Sequence, residues 1–250
     1  MLQFRSRTLR TTIPLLLSTG ICLSSLPLSA SAQIYIPPDL GKPGRRQGGG
    51  TRGGCLTAGT SLTALMPVQN FGYTLTAHPT LFWYVPQVSA EAAELILLDE
   101  DDNEIYKSVF QVRNAPGIIS LSLPTNANFP PLQIGQNYRW EFSLICDLQD
   151  RSGDLYVEGW IQRTEPSREL ANKLETASPD ELPTLYAEAG IWYDALASLA
   201  QLRRARPSTF ASKIGWTRLL NSVGLGEIVN ENFIQCCTQP VSEQANSGRH

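Results

Sequence analysis

The stretch from Gly44 to Cys55, GRRQGGGTRGGC, sets glycines at 48, 50 and 53 in the spacing G-x-G-x-x-G. That spacing lets a backbone turn tightly against a pyrophosphate, provided a strand leads into it and a helix N-terminus follows. Here IYIPPDLGKP precedes and CLTAGT follows, and neither reads as the required element. A P-loop needs lysine and then Ser or Thr after its last glycine, whereas this chain offers Gly50-Thr51. What remains is a basic Gly/Arg segment with too few apolar groups to fold alone, carrying Lys42, Arg45, Arg46 and Arg52. It serves as a spacer or as an electrostatic contact for an anionic polymer, lipid headgroups or an acidic partner. Nucleic acid is not expected as a partner of an acidic, exported chain.

The other groups capable of chemistry are few. Asp99-Glu100-Asp101-Asp102-Asn103-Glu104 contains D-x-D-x-N, but an EF-hand would need glycine at Glu104 and a bidentate glutamate at Phe110. Flanked by ELILL and IYKSVF, the run reads as a hairpin turn. Asp147, Asp150 and Asp154 around Arg151-Ser152-Gly153 read the same way. The two histidines are His78, before Pro79, and the terminal His250, and no G-x-S-x-G turn accompanies them. Zinc or triad chemistry is therefore starved of ligands, and no metal or cofactor is expected. Glu141, Asp154 and Glu158 are the carboxylates available for glycoside hydrolysis.

The compartment follows from the first residues. Arg5, Arg7 and Arg10 precede an apolar segment, Ile13 to Leu28, that closes on Ala30-Ser31-Ala32, the layout of a cleaved signal peptide over residues 1–32. Ser18, Thr19, Gly20, Ser24, Ser25 and Pro27 interrupt the segment, which suits it poorly to spanning a bilayer. Cleavage takes the net charge from −3 to −6, and no transmembrane segment is read in the mature chain. Cys55, Cys146, Cys236 and Cys237 remain. An oxidising compartment favours disulfides, and because neighbours such as Cys236 and Cys237 close a strained ring, Cys55–Cys146 is the economical pair. An inert buried thiol at Cys146 is the alternative, and the terminal pair stays open.

These groups must be positioned by strands first and helices after. Strands are expected at Tyr73–Val85, Glu94–Leu98, Ile105–Val109, Gly117–Leu123, Asn137–Cys146 and Leu155–Gln162. The fifth is the clearest, with Tyr138, Trp140, Phe142, Leu144 and Cys146 alternating against Arg139, Glu141, Ser143 and Ile145. Leu132-x-x-Gly135-x-x-Tyr138 has the spacing of a tyrosine corner, which leads to an immunoglobulin-like antiparallel β-sandwich. From Pro166 and Ser167 the texture turns helical, with an apolar stripe at Leu185, Ala189, Trp192, Leu196 and Leu199, then a helix capped by Ser208 and stopped by Gly224. Gly190-x-Trp192-x-x-Ala195-x-x-x-Leu199 has the spacing of the second helix of a tetratricopeptide-like hairpin. One copy cannot bury its own faces, so Tyr156 and Trp160, on the outer side of the last strand, are expected to meet Trp192 or Tyr193. Exposed, the same aromatic residues would make a sugar-stacking platform.

The run GRRQGGGTRGGC together with PTLFWYVP, ELILLDEDDNEIY, YRWEFSLICD, VEGWIQR and YAEAGIWYDALASL resembles a cyanobacterial family known as domain of unknown function 928. The resemblance spans nearly all of the mature chain. It implies an exported protein with Cys55 and Cys146 at the family's cysteine positions, and it implies no activity.

The expectation is an α+β chain: a signal peptide (1–32), a flexible basic arm (33–54), a β-sandwich (55–165), a small α-helical unit (166–235) and a disordered tail (236–250). Its expected role is a non-enzymatic protein-interaction or adaptor module of the cell envelope, binding an envelope protein. A binding module for envelope polysaccharide or another anionic polymer is the alternative, and a carboxylate-dependent glycoside hydrolase the second.

Overall fold

Period-two alternation broken by turns produces strands, and capped apolar stripes produce helices. The computed structural model describes residues 35–48, 55–58, 61–112, 115–125, 129–207 and 209–235, and all belong to one unit, Ser31–His250. The strands are β1 (Leu56–Ala58), β2 (Thr63–Ala64), β3 (Phe71–Thr74), β4 (Thr80–Val85), β5 (Gln87–Val88), β6 (Ala92–Leu98), β7 (Glu104–Gln111), β8 (Gly117–Ser122), β9 (Asn137–Ile145) and β10 (Leu155–Arg163). The helices are α1 (Arg168–Thr176), α2 (Leu182–Glu188), α3 (Trp192–Ala205) and α4 (Phe210–Ser222). The fold is α+β.

The strands form a five-stranded sheet, β3-β10-β9-β6-β7, a three-stranded sheet, β2-β4-β8, and the pair β1-β5. In β9 the alternation acts as its pattern demands: Tyr138, Trp140, Phe142 and Leu144 are buried, while Arg139, Glu141 and Ser143 reach solvent. Trp83 of β4 stacks on Phe142 with ring centroids 4.3 Å apart and meets Trp140 edge-on at 5.6 Å, so an aromatic layer joins the two larger sheets. Gly159 of β10 makes room for it, since a Cβ there would collide with Met66 and Trp140. The hydroxyl of Tyr138 accepts the Gln133 backbone N–H at 3.1 Å, the upstream bond expected of it. Cys55, at the entrance to β1, is disulfide-bonded to Cys146, just past β9, with Cα atoms 5.1 Å apart.

The structure corrects several expectations. The sheets are not wholly antiparallel: β3 runs parallel to β10, with Phe71 opposite Trp160 and Thr74 opposite Arg163. Alternation is the same in either direction, so only the path of the chain decides. Tyr73–Val85 is two strands in different sheets, because the chain turns between Thr74 and Thr80; there Leu132 donates to Ala77 O, and Pro79 has no N–H for a ladder. The stripe from Leu185 is likewise two helices. Gly190, at φ +74°, ends the first in the left-handed conformation open to glycine, and a Cβ there would also stand 2.9 Å from Ile36 O; Ala189 is left exposed while Ala187 is buried.

Ser167 caps α1 by accepting from Leu170 N–H at 3.1 Å. The residue preceding α4 is Thr209; Ser208 lies outside the described residues. Gly224, at φ +72°, stops α4, and Leu225 N–H returns to Leu220 O at 2.9 Å. Helices and sheets share one hydrophobic core. Gly72 permits the close approach: a Cβ there would lie 2.9 Å from the Tyr193 ring and 3.1 Å from Trp192 Cβ.

The described part of the basic arm, residues 35–48, is not free. Its backbone is bonded to the body at Ile36, Lys42, Arg45, Arg46 and Gly48, and Gln47 bridges Thr63 on the edge of β2. Tyr35 is buried edge-on against Trp192, ring centroids 4.9 Å apart. At the opposite edge of the same sheet Phe233 bridges Ile118 of β8, so both edges are covered by other segments of the same chain. Residues 1–32, expected to be a signal peptide, together with Gly50, Arg52, Gly53, Cys236, Cys237 and the residues on to 250, lie outside the described residues. Among the described residues no helix is long and apolar enough to cross a membrane.

Candidate functional site

Along β10 the residues Leu155, Val157, Gly159 and Ile161 face the core, which turns Tyr156, Glu158 and Trp160 outward. The N-terminal segment lies across this outer face as a strap. Glu158 N–H donates to Arg45 O at 2.9 Å, and Trp160 Nε1 donates to Pro43 O at 2.8 Å. The Arg45 guanidinium sits 4.5 Å from the Tyr156 ring centre, and the Lys42 ammonium 4.9 Å from that of Trp160. Arg46 Nη1 donates to Val223 O at 2.7 Å, placing a cation at the negative end of α4. Burial of this guanidinium lowers its pKa.

The expected binding residues are thus arranged differently from the expectation. Arg45 and Arg46 are engaged with a ring and a carbonyl. Tyr156 and Trp160 meet the strap rather than the rings of α3, and a sugar stacking on them would have to displace Arg45 and Lys42. Trp192 and Tyr193 belong to the interior, where Trp192 Nε1 donates to Leu65 O at 2.9 Å.

Glu141 and Glu158 stand directly opposite each other on β9 and β10, and one guanidinium, Arg139, binds both and also Asp102. Partial burial opposes charge on Arg139, yet its hydrogen bonds and the neighbouring carboxylates raise its pKa. Asp154 is elsewhere, accepting Cys146 N–H at 3.0 Å beside the disulfide and pairing with Arg151, which also reaches Glu94. The three carboxylates named for hydrolysis therefore form two separate ion-pair clusters. Asp99 Oδ1 accepts the N–H groups of Asp101 and Asn103, closing the β6–β7 hairpin with Asp102 at φ +62°. His78 packs edge-on against Phe129 at 5.7 Å. Among the described residues no group of three or more His, Cys, Asp or Glu is placed to hold a metal ion.

Three features escaped the sequence reading. Asp194, in the first turn of α3, accepts Thr74 Oγ1–H at 2.7 Å and Leu75 N–H at 3.1 Å; burial raises its pKa against those bonds. An acid two residues after Trp192 at a helix start was the available signal. A cleft of about 340 Å³ is lined by Gln47, Ser61, Thr63, Leu225, Glu227 and Ile228 among others, and no motif marks it. Third, large apolar side chains stand exposed on and beside the strap: Ile36 at 56%, Leu40 at 47% and Val68 at 64%. The bond from Lys42 N–H to Gln69 O, 3.0 Å, sets the 40–42 segment alongside the turn carrying Val68.

Fold and surface together define a disulfide-bridged α+β protein, strapped along its largest sheet by its own N-terminal segment. The chain belongs to the family described as Domain of Unknown Function (DUF928), which matches residues 47–233. The strap from Tyr35 to Arg46 precedes the matched residues. No curated protein and no solved structure matches the chain.

Proposed function

We propose that this is an exported, non-catalytic module of the cell envelope that works by protein contact, with the N-terminal strap as part of the contact surface. The observation that carries the reading is the exposure of Ile36 and Leu40 on a segment fixed to the body at Ile36 and Lys42. Apolar side chains gathered into a surface patch, as Ile36 and Leu40 are on one short fixed segment, mark interaction sites, and a fixed backbone lowers the ordering cost of binding. Export is supported by the basic and apolar leader pattern and by the Cys55–Cys146 disulfide, which suits an oxidising compartment. The finer architecture fits the same reading: facing sheets with a tyrosine-corner bond favour an immunoglobulin-like sandwich, and the α2–α3 pair a tetratricopeptide-like hairpin. Cyanobacterial origin rests on the family resemblance.

Binding of neutral envelope saccharide is the second reading. It rests on the cleft, whose amide, hydroxyl and carboxylate groups suit sugar hydroxyls.

Affinity capture on the purified chain from an envelope fraction, run beside a glycan array, tests both. Stoichiometric recovery of a protein, weakened when Ile36 and Leu40 become serine, is the result expected of the first reading. Glycan retention lost with Glu227→Ala, without protein recovery, transfers support to the second. Failure of both removes the contact reading.

A further inference from the structure

The strap has a defined shape between its two anchors. Ile36 N–H donates to Ala187 O at 3.1 Å, and Lys42 N–H to Gln69 O at 3.0 Å. Between them Pro37 and Pro38 carry no N–H, and the N–H groups of Asp39, Leu40 and Gly41 bond to no described residue. Two consecutive prolines restrict the residues before them to extended backbone of the polyproline type, and the chain bends once, at Asp39. Tyr35 is buried and Pro38 half-buried on the body side, with Pro38 Cδ 3.9 Å from where a Cβ on Gly190 would stand. Ile36, Pro37, Asp39 and Leu40 are exposed. Asp39 makes no ion pair among the described residues.

This is the display of a linear ligand rather than a receptor. The Ile36-Pro37-Pro38 stretch offers flat ring faces and the unbonded carbonyls of Pro37 and Pro38, which is what aromatic-lined grooves with Trp or Tyr donors recognise in extended proline segments. Leu40, set off by the bend, adds an apolar anchor, and the unpaired carboxylate of Asp39 lies between the two.

Resting on the protein-contact reading above, we propose that Ile36–Leu40 is a docking ligand for a groove on a partner protein, lined by aromatic side chains and bordered by a lysine or arginine that meets Asp39. Because both ends are fastened, the segment enters the groove with its backbone already ordered, and recognition loses little to chain entropy.

The test places a photo-crosslinking benzoylphenylalanine singly at the exposed Gly41 and Pro43, which flank the segment and leave it intact, and, as a control, at the exposed Leu148 of the full chain, in its own envelope fraction. The synthetic peptide IPPDLGK and its Pro→Ala counterpart are the competitors. Adducts from positions 41 and 43 into one segment of one other protein, at aliphatic C–H groups beside its aromatic residues, are expected, falling at least about tenfold with Asp39→Lys or with free IPPDLGK but not with the alanine peptide. All variants must keep the unfolding midpoint of the parent, as their exposure predicts. Adducts from Leu148 alone overturn the docking ligand and leave the protein-contact reading standing. Adducts from 41 and 43 to a second copy of this chain, or to scattered sites unmoved by the peptide, overturn the groove. Absence of protein adducts at every position overturns both.

Discussion

The phenol of Tyr193 on α3 accepts the indole N–H of Trp140 on β9 at 2.8 Å and donates its own O–H to the Trp160 carbonyl of β10 at 3.1 Å. Helix and sheet are therefore joined by a hydroxyl inside the core, where both partners are otherwise apolar. Tyr193→Phe keeps the ring and leaves the Trp140 N–H buried without an acceptor, a loss of about 1–3 kcal/mol in chemical denaturation. If the bond is the cause, adding Trp140→Phe costs less in the Tyr193→Phe background than in the parent, and a double-mutant cycle reads the difference.

Asp194, one residue further along, gives the protein an acid-side stability term. Burial raises its pKa, partly countered by the Thr74 hydroxyl and the Leu75 N–H. A carboxyl whose folded pKa exceeds the unfolded value contributes most below the unfolded pKa and loses that contribution as pH rises through the folded one. The stability of the wild type relative to Asp194→Asn is therefore expected to fall with increasing pH across the carboxylate range. Urea titrations at stepped pH measure it, and a flat difference contradicts the assignment.

Glu94 should behave with the opposite sign. Burial pushes its pKa up, but the hydrogen bonds and charges of Arg151 and Lys107 outweigh burial and leave it lowered. Its contribution is present above the unfolded pKa and disappears as pH falls through the folded one. Glu94→Gln is expected to equalise with the parent in acid and to lag behind it at neutral pH. The same titrations check this, and the gap at neutral pH should narrow in high salt because both cations are partly exposed.

The Cys55–Cys146 bridge closes a separation of 91 residues and ties the strand pair β1-β5 to the end of β9. Chain entropy in the unfolded state alone gives such a crosslink about 4–5 kcal/mol. Unfolding midpoints with and without reductant should differ accordingly, and the Cys55→Ser, Cys146→Ser double variant should match the reduced protein and ignore reductant.

The sequence made visible what depends on local period and local chemistry. β9 could be read from the alternation of Tyr138 to Leu144, the β6–β7 hairpin from its acidic run, α1 from Ser167 and the end of α4 from Gly224. What escaped depends on where distant segments meet. The parallel neighbour of β10 cannot be told from an antiparallel one by alternation, and the segment that crosses Gly190, with Ile36 O 2.9 Å from where a Cβ would stand, comes from more than 150 residues away in sequence. The partners of the basic residues are hidden for a related reason. Lys42, Arg45 and Arg46 look free when only their neighbours in sequence are considered, and their partners Trp160, Tyr156 and Val223 lie far along the chain.

That arrangement makes a last prediction, which separates the strap as a structural clasp from the strap as an anion-binding arm. Arg46 is half-buried, it donates to the Val223 carbonyl at the end of α4, and its pKa is lowered because burial is not offset by a carboxylate. A hydrogen bond from a charged donor is worth about 1.5–3 kcal/mol, so Arg46→Met, which keeps the aliphatic stem, should destabilise the fold by that order. Hydrogen exchange should quicken in the strap around residues 46–48 and in the last turn of α4, with less change in β9. Lys42→Met and Arg45→Met remove contacts to half-exposed rings and should each cost less, about 0.5–1 kcal/mol. On an acidic polysaccharide column all three variants should elute near the parent, because Arg46 is held by Val223 O, Lys42 and Arg45 lie against rings, and the remainder of the chain carries net negative charge. Strong salt-sensitive retention of the parent, abolished by the variants while their stability is unchanged, would show that the cations face outward and that the clasp does not hold.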